Sequence, residues 1–344
     1  MRILITGGAG FIGANFAHLI ARKYPEYEIV IIDKLNQQGR RENLKDIEDT
    51  IEFHKFDLIE FDKLSAIFEE KQIDMVAHFA AETNVDRSIE NPMEFVNSNI
   101  IATQNLLSLS QKHGISRFHH VSTDEVFGEL PLDPTVKFNE QTAYDPRSPY
   151  SATKAGSDHL VRAAHATYGL PITISNCSNN YGPYQVPENI IPLFALFALH
   201  DRNLTIYGDG KSVRDYLFVE DHCRAIDLIM HKGVAGETYC VGGGAEKNGV
   251  EIADAVLAAV PETKSVKKFV TDRPGHDLRY AIDYSKLRDE LGYQPSVTFE
   301  EGLKKTVDWY RQNEWWWKPI INDLYVPDFL KQGAKNGTNW VQGS

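Results

Sequence analysis

The chain has 344 residues, 42% of them hydrophobic and 24% charged, with a net charge of −12. That length can bury one large core or two smaller ones, and so acidic a chain is a poor candidate for nonspecific binding to nucleic acid, where basic patches supply the affinity. Cys177, Cys223 and Cys240 are too few and too widely spaced for a disulfide framework or a zinc site, and no stretch is long enough to span a bilayer. No metal, nucleic acid or membrane partner is expected, no secretory signal is read at the amino end, and the simplest setting is reducing and cytoplasmic.

In chain order, residues 2–6, 28–33, 51–57, 73–79 and 118–122 read as short apolar strands. Residues 11–23, 60–71 and 93–113 read as the amphipathic helices between them. A further helix is expected over 149–168 and a strand over 172–177. This alternation implies a parallel sheet covered on both faces. After Tyr181 the texture loosens, with Pro183, Pro187 and Pro192 close together. Residues 1–180 are therefore expected to form one domain, and 181–344 mainly a second, smaller one that caps the sheet and returns some segments to the first. Trp315, Trp316 and Trp317 are expected to pack against the body or a partner.

The first loop is Thr6-Gly7-Gly8-Ala9-Gly10-Phe11-Ile12-Gly13, between a strand and a helix. Such a loop makes a tight turn, lets a pyrophosphate approach the backbone, and offers it a helix amino end. The fold expected is thus a Rossmann-type, doubly wound α/β sheet with Gly7, Gly10, Phe11, Ile12 and Gly13 at a dinucleotide. Asp33 ends the second strand, where a carboxylate accepts from ribose hydroxyls and repels the extra phosphate of NADP. NAD is therefore the expected cofactor, although Lys34, Arg40 and Arg41 are cations close by. Asp57 follows the third strand, where it is expected to meet the adenine amino group; Phe79, Ala80 and Ala81 end the fourth, where small residues are expected to let a cofactor lie near the backbone.

Tyr150 and Lys154 stand four residues apart in Tyr150-Ser151-Ala152-Thr153-Lys154, on one helix face. An ammonium there favours phenolate and lowers the tyrosine pKa toward that of a useful base. The segment Ser122-Thr123-Asp124-Glu125-Val126-Phe127-Gly128 adds a hydroxyl and two adjacent carboxyls at the end of the fifth strand.

With these motifs, from about residue 1 to 312, the chain resembles the extended short-chain dehydrogenase/reductase family. The Thr-Asp-Glu run resembles its dTDP-glucose 4,6-dehydratases in particular, as do Ala80-Ala81-Glu82, Val85-Asp86-Arg87-Ser88, Asn176 to Pro183, Arg214-Asp215-Tyr216-Leu217 and Asp272 to His276. The resemblance implies a hydro-lyase acting on a nucleotide sugar through bound NAD, and a homodimer built on the helices at 93–113 and 149–168, with Phe95, Ile100, Leu106 and Leu107 among their apolar residues. It implies that Tyr150, Thr123 and Lys154 serve oxidation at C4, that Glu125 removes the C5 proton, and that a protonated Asp124 donates to the departing C6 hydroxyl. It adds Lys34, Leu35, Asn36, Leu58, Ser98 and Asn180 to the cofactor site. Thr83, Asn179, Asn189, Arg214, Asn248, Arg273 and His276 fall at its substrate positions. The chain departs from the family pattern at Phe127, Asn189 and Cys240, where Tyr, Lys and Asn are usual. A 4-epimerase on the same scaffold would use Tyr150 and NAD without needing Asp124 and Glu125, and a non-catalytic NAD-binding protein would need none of the catalytic residues.

Overall fold

A computed structural model describes residues 1–271 and 277–321. The first half supplies β1 (Arg2–Thr6), α1 (Phe11–Lys23), β2 (Glu28–Asp33), β3 (Ile51–Lys55), α2 (Phe61–Lys71) and β4 (Met75–His78). It continues with α3 (Val85–Glu90), α4 (Pro92–Phe95), α5 (Ala102–His113), β5 (Arg117–Thr123), α6 (Pro149–Tyr168) and β6 (Ile172–Cys177). The second half adds β7 (Asn179–Tyr181), α7 (Ile190–Leu199), β8 (Leu204–Tyr207), β9 (Val213–Phe218), α8 (Val219–Lys232), β10 (Thr238–Val241) and β11 (Glu246–Asn248). It ends with α9 (Gly249–Ala259), β12 (Lys267–Val270), α10 (Ser285–Leu291), α11 (Phe299–Gln312) and α12 (Glu314–Trp317).

The central sheet has the order β3-β2-β1-β4-β5-β6-β10, and every pairing in it is parallel. Successive side chains of a strand point to opposite faces. Leu4, Val30 and Ile32 accordingly pack with Leu64, Phe68, Leu106 and Val161 of α2, α5 and α6 on one face. Ile3, Ile5, Ile29 and Ile31 pack with Phe16 and Ile20 of α1 and Ile226 of α8 on the other. Two of these elements come from late in the chain: α8 packs beside α1, and β10 extends the sheet past β6.

The remaining late segments form a three-stranded sheet, β11-β9-β7, and a β12-β8 pair. Phe194, Ile252, Val256, Leu303, Tyr310 and Trp316 fill the core beneath them. Trp316 is fully buried and its indole donates to Asn43 Oδ1 at 2.6 Å. Asn43 in turn donates to the Ala9 carbonyl at 2.8 Å, so the tryptophan segment braces the glycine loop after β1. Between α4 and α5 the helix widens into a π turn over Val96–Ile101. No described helix is long and apolar enough to cross a membrane.

Candidate active site

Parallel strands present their carboxyl ends on one side, and the point where the winding reverses opens a crevice there. Between β1 and β4 lies a cleft of about 590 Å³, lined by residues at the ends of β1 to β6 and, opposite them, by β8, Asn189 and Arg214. Gly7, Gly10, Phe11, Ile12, Gly13, Asp33, Lys34, Asn36, Asp57, Leu58, Phe79, Ala80, Ala81, Ser98 and Asn180 all face it. So do Thr83, Thr123, Asp124, Glu125, Tyr150, Lys154, Asn179, Asn189 and Arg214.

The glycine loop fits a dinucleotide. Gly7 has φ +67°, and a Cβ there would sit 2.6 Å from the Ala80 nitrogen; one at Gly13 would strike the Gly7 carbonyl. The amino end of α1 begins at Gly10 with no side-chain cap and no acidic residue in its first turn, leaving its partial positive charge to an anion. Asp33 is held by two backbone donors, Ala9 N at 3.0 Å and Leu35 N at 2.8 Å. Burial raises its pKa, and those bonds work against the rise. Leu35 reaches this arrangement at φ +55° and donates through its backbone N–H; it does not line the cleft, and its side chain packs against the core under α1.

At the end of β5, Thr123 caps a short 3-10 turn, Asp124–Phe127, accepting from Glu125 N at 3.2 Å and donating to Asp124 Oδ1 at 3.4 Å. Asp124 is 2% exposed and its Oδ2 has no hydrogen-bond partner among the described residues. Burial, and then the charges of Glu125 and Asp215, push its pKa well above its ordinary value, which favours the protonated carboxyl. Asp215 is itself buried and pushed up to about 6.

Helix α6 is fixed by Pro149 in its first turn and by a reciprocal Ser148–Ser151 capping box. This sets Tyr150 and Lys154 at the cleft. The Lys154 ammonium donates to the Val121 carbonyl at 2.8 Å, and burial lowers its pKa. Burial, followed by the Glu125 charge, raises the Tyr150 pKa well above its ordinary value, and hydrogen bonding to Thr123 works against that rise. The lowering expected from the lysine is therefore not what this geometry delivers: the two groups share a face, but burial sets the direction of the phenol's shift.

Three residues of the site carry little signal in the sequence. Asp158 lies one further turn along the Tyr150–Lys154 face, is fully buried, and accepts from Ser122 at 2.9 Å and Tyr144 at 2.7 Å. Asn176 bridges it at 3.3 Å to the Thr123 carbonyl at 3.1 Å, which ties α6 to the end of β5. The four-residue spacing from Lys154 could have marked Asp158. Asn99, in the π turn, holds the Glu82 backbone and donates to Thr153 at 3.0 Å. Glu82 itself is fully buried behind the cofactor side of the cleft.

Two expected substrate residues behave differently. Asn248 is absent from the cleft lining, because its side chain caps α9 by accepting from Val250 and Glu251 N–H at 3.0 Å. Arg273 and His276 lie outside the described residues. Arg214 does face the cleft, its guanidinium 4.2 Å from the Tyr280 ring centre and donating to the Asp277 carbonyl at 3.0 Å. Asn179 adds a buried Oδ1 without a hydrogen-bond partner among the described residues. Among the described residues, no group of His, Cys, Asp and Glu could hold a metal ion.

These features have counterparts in known proteins. The family model for GDP-mannose 4,6 dehydratase matches residues 4–306. The chain is similar to dTDP-glucose 4,6-dehydratase of Mycobacterium tuberculosis, at 47% identity over 321 residues, 93% of this chain and 96% of that one. It is similar in fold to the Streptomyces venezuelae dTDP-glucose 4,6-dehydratase crystallised with NAD, at TM-score 0.88 and 43% identity over 93% of this chain and 100% of that one. UDP-glucose 4-epimerase of Thermotoga maritima is more distant, at TM-score 0.84 and 30% identity over 91% and 99%. With its glycine loop, its Tyr150–Lys154 pair and its Thr123-Asp124-Glu125 turn gathered at one cleft, the chain belongs to the GDP-mannose 4,6 dehydratase family of extended short-chain dehydrogenases/reductases.

Proposed function

We propose that the chain is a sugar-nucleotide 4,6-dehydratase, converting dTDP-glucose to the 4-keto-6-deoxy sugar and water. The observation that carries this reading is the buried Asp124 beside Glu125 at the cleft, its carboxyl pushed by burial toward the protonated form, a pair that 4-epimerisation has no use for. Bound NAD supplies the hydride acceptor at C4 and the donor at C6. Tyr150 takes the O4 proton, with Thr123 hydrogen-bonded to the same oxygen and Lys154 holding the cofactor ribose. The resulting ketone acidifies C5, from which Glu125 removes the proton, while Asp124 gives its proton to the departing C6 hydroxyl; as C6 is then reduced, a proton returns to C5. Two neighbouring carboxyls divide acid and base work only when their environments set their pKa values apart. Asn179, Asn189 and Arg214 hold the sugar diphosphate and its nucleoside, so the second half of the chain supplies most substrate contacts. A cytoplasmic setting accords with three free cysteines, all buried.

The test is incubation with dTDP-glucose, followed by absorbance near ~320 nm in alkali, where the keto product of acid–base elimination is read. Product is expected, and more slowly with UDP-, CDP- or GDP-glucose. Epimerised sugar without that absorbance would overturn the reading in favour of an epimerase. Bound NAD with no turnover of any nucleotide hexose would favour a non-catalytic binder.

The same reading includes a homodimer. Of the apolar residues expected at its interface, Phe95, Leu106 and Leu107 are buried within the protomer, and Ile100 packs against Gly156. The face left for a second copy carries Met93 at 61%, Ile89 at 62% and Ile101 at 44% exposure. Small exposed Ala152 and Ala163 on the adjoining α6 permit close helix approach. Light scattering is expected to give twice the protomer mass, and Ile101→Glu to shift it toward the monomer. A wild-type monomer at micromolar concentration would remove the dimer.

A further inference from the structure

Selection between NAD and NADP depends on whether a cation is free at the ribose 2′ position. Asp33 disfavours a phosphate there, but Lys34 follows it immediately and also lines the cleft. Its ammonium is 2.7 Å from Glu82 Oε1, 3.0 Å from Ser98 Oγ and 3.8 Å from Asp57 Oδ2. Burial works against the charge on Lys34, but Glu82 holds its pKa above the ordinary value. Glu82 is in turn rigidly placed. Its side chain is 1% exposed and its Oε1 also accepts from Asn36 at 2.7 Å. Asn99 binds its backbone N–H at 2.8 Å and its carbonyl at 3.0 Å. Arg87 stands 3.8 Å from Oε2 and offsets part of its charge. The other nearby cations are engaged elsewhere. Arg41 pairs with Glu48 at 2.9 Å and covers the Phe53 ring, and Arg40 lies over Trp316, 3.6 Å from Glu42.

We infer that Glu82 is a specificity-determining residue, which keeps the cofactor site selective for NAD by holding Lys34 away from a 2′-phosphate. It acts from behind the cleft, through Lys34, and needs no contact with the cofactor. The inference rests on the NAD site described above.

The test is fluorescence titration of NADH and NADPH into the whole protein, wild type, Glu82→Gln, Lys34→Gln and the double variant, with thermal melting as a check on folding. Glutamine keeps the size and a hydrogen-bonding group but removes the charge that holds the ammonium. The NADPH-to-NADH affinity ratio is expected to rise about tenfold in Glu82→Gln, the scale of one charge-assisted hydrogen bond, and to return to the wild-type ratio in the double variant. An unchanged ratio in Glu82→Gln, or a gain that survives loss of Lys34, overturns the inference. If Glu82→Gln does not fold, Lys34→Gln decides alone. A sequestered lysine predicts no change in the ratio, and a selective loss of NADPH binding shows that Lys34 was available all along. Wild-type protein that binds neither nucleotide removes the cofactor reading itself, a different outcome from equal shifts for both.

Discussion

Tyr150→Phe is expected to abolish the first half of the reaction: no reduced cofactor appears near ~340 nm on adding substrate, and turnover falls by about two to four orders of magnitude, the range for a positioned acid–base group. The ring fills a nearly closed site, with Tyr150 7% exposed and its edge against Phe95, so phenylalanine preserves the packing and removes only the hydroxyl. The pH dependence follows from the direction of the shift. Burial and Glu125 raise the phenol pKa, so the phenolate is scarce at neutral pH and its population grows as pH rises. Wild-type cofactor reduction should therefore quicken with pH in single-turnover experiments, and the variant should lack that rise. Wild-type amounts of reduced cofactor in Tyr150→Phe would assign proton removal at O4 to another group.

That raised pKa could not be read from the Tyr150–Lys154 spacing, which gives a shared face but neither the desolvation nor the Val121 carbonyl that engages the ammonium. Legibility followed the range of the interactions involved. Residues 2–6, 11–23, 28–33, 149–168 and 172–177 take the structures expected, because each is specified by its own periodicity and its own punctuation: the glycine loop, Pro149, Gly169. Ends were less clear. The third strand stops at Lys55 rather than residue 57, and the fifth runs one residue further than expected, to Thr123. The helix at 93–113 begins one residue earlier, at Pro92, and its π turn, which carries Ser98 and Asn99, has no local marker. The second half was least legible, since contacts distant in sequence decide it. Buried Arg279 donates to the carbonyls of Asp133 at 3.0 Å and Val136 at 2.7 Å, a tie no local pattern announces. Glu82 illustrates the same limit within the site. Ala80-Ala81-Glu82 marks a strand end, but only the fold brings Lys34 and Asn36 onto that carboxylate.

Glu125→Gln and Asp124→Asn are expected to break the reaction after that first half, at two different points. Neither carboxyl is needed to oxidise C4, so both variants should bind substrate and form reduced cofactor, unlike Tyr150→Phe. Glu125→Gln loses the base for C5: exchange of the C5 hydrogen with deuterium oxide and overall turnover should fall together, by about two to four orders of magnitude. Asp124→Asn loses the acid at C6 while Glu125 remains, so exchange at C5 should persist as product formation falls. The pH sign separates them further. Burial and two neighbouring carboxylates raise the Asp124 pKa well above its ordinary value, so its proton persists to higher pH than an ordinary carboxyl's and is lost as pH climbs through that raised value. Wild-type elimination should decline along that alkaline limb, and the decline should be missing from the residual activity of Asp124→Asn. Exchange at the wild-type rate in Glu125→Gln would show that Glu125 is not the base. The division of acid and base work between Asp124 and Glu125 would then have to be reversed or abandoned.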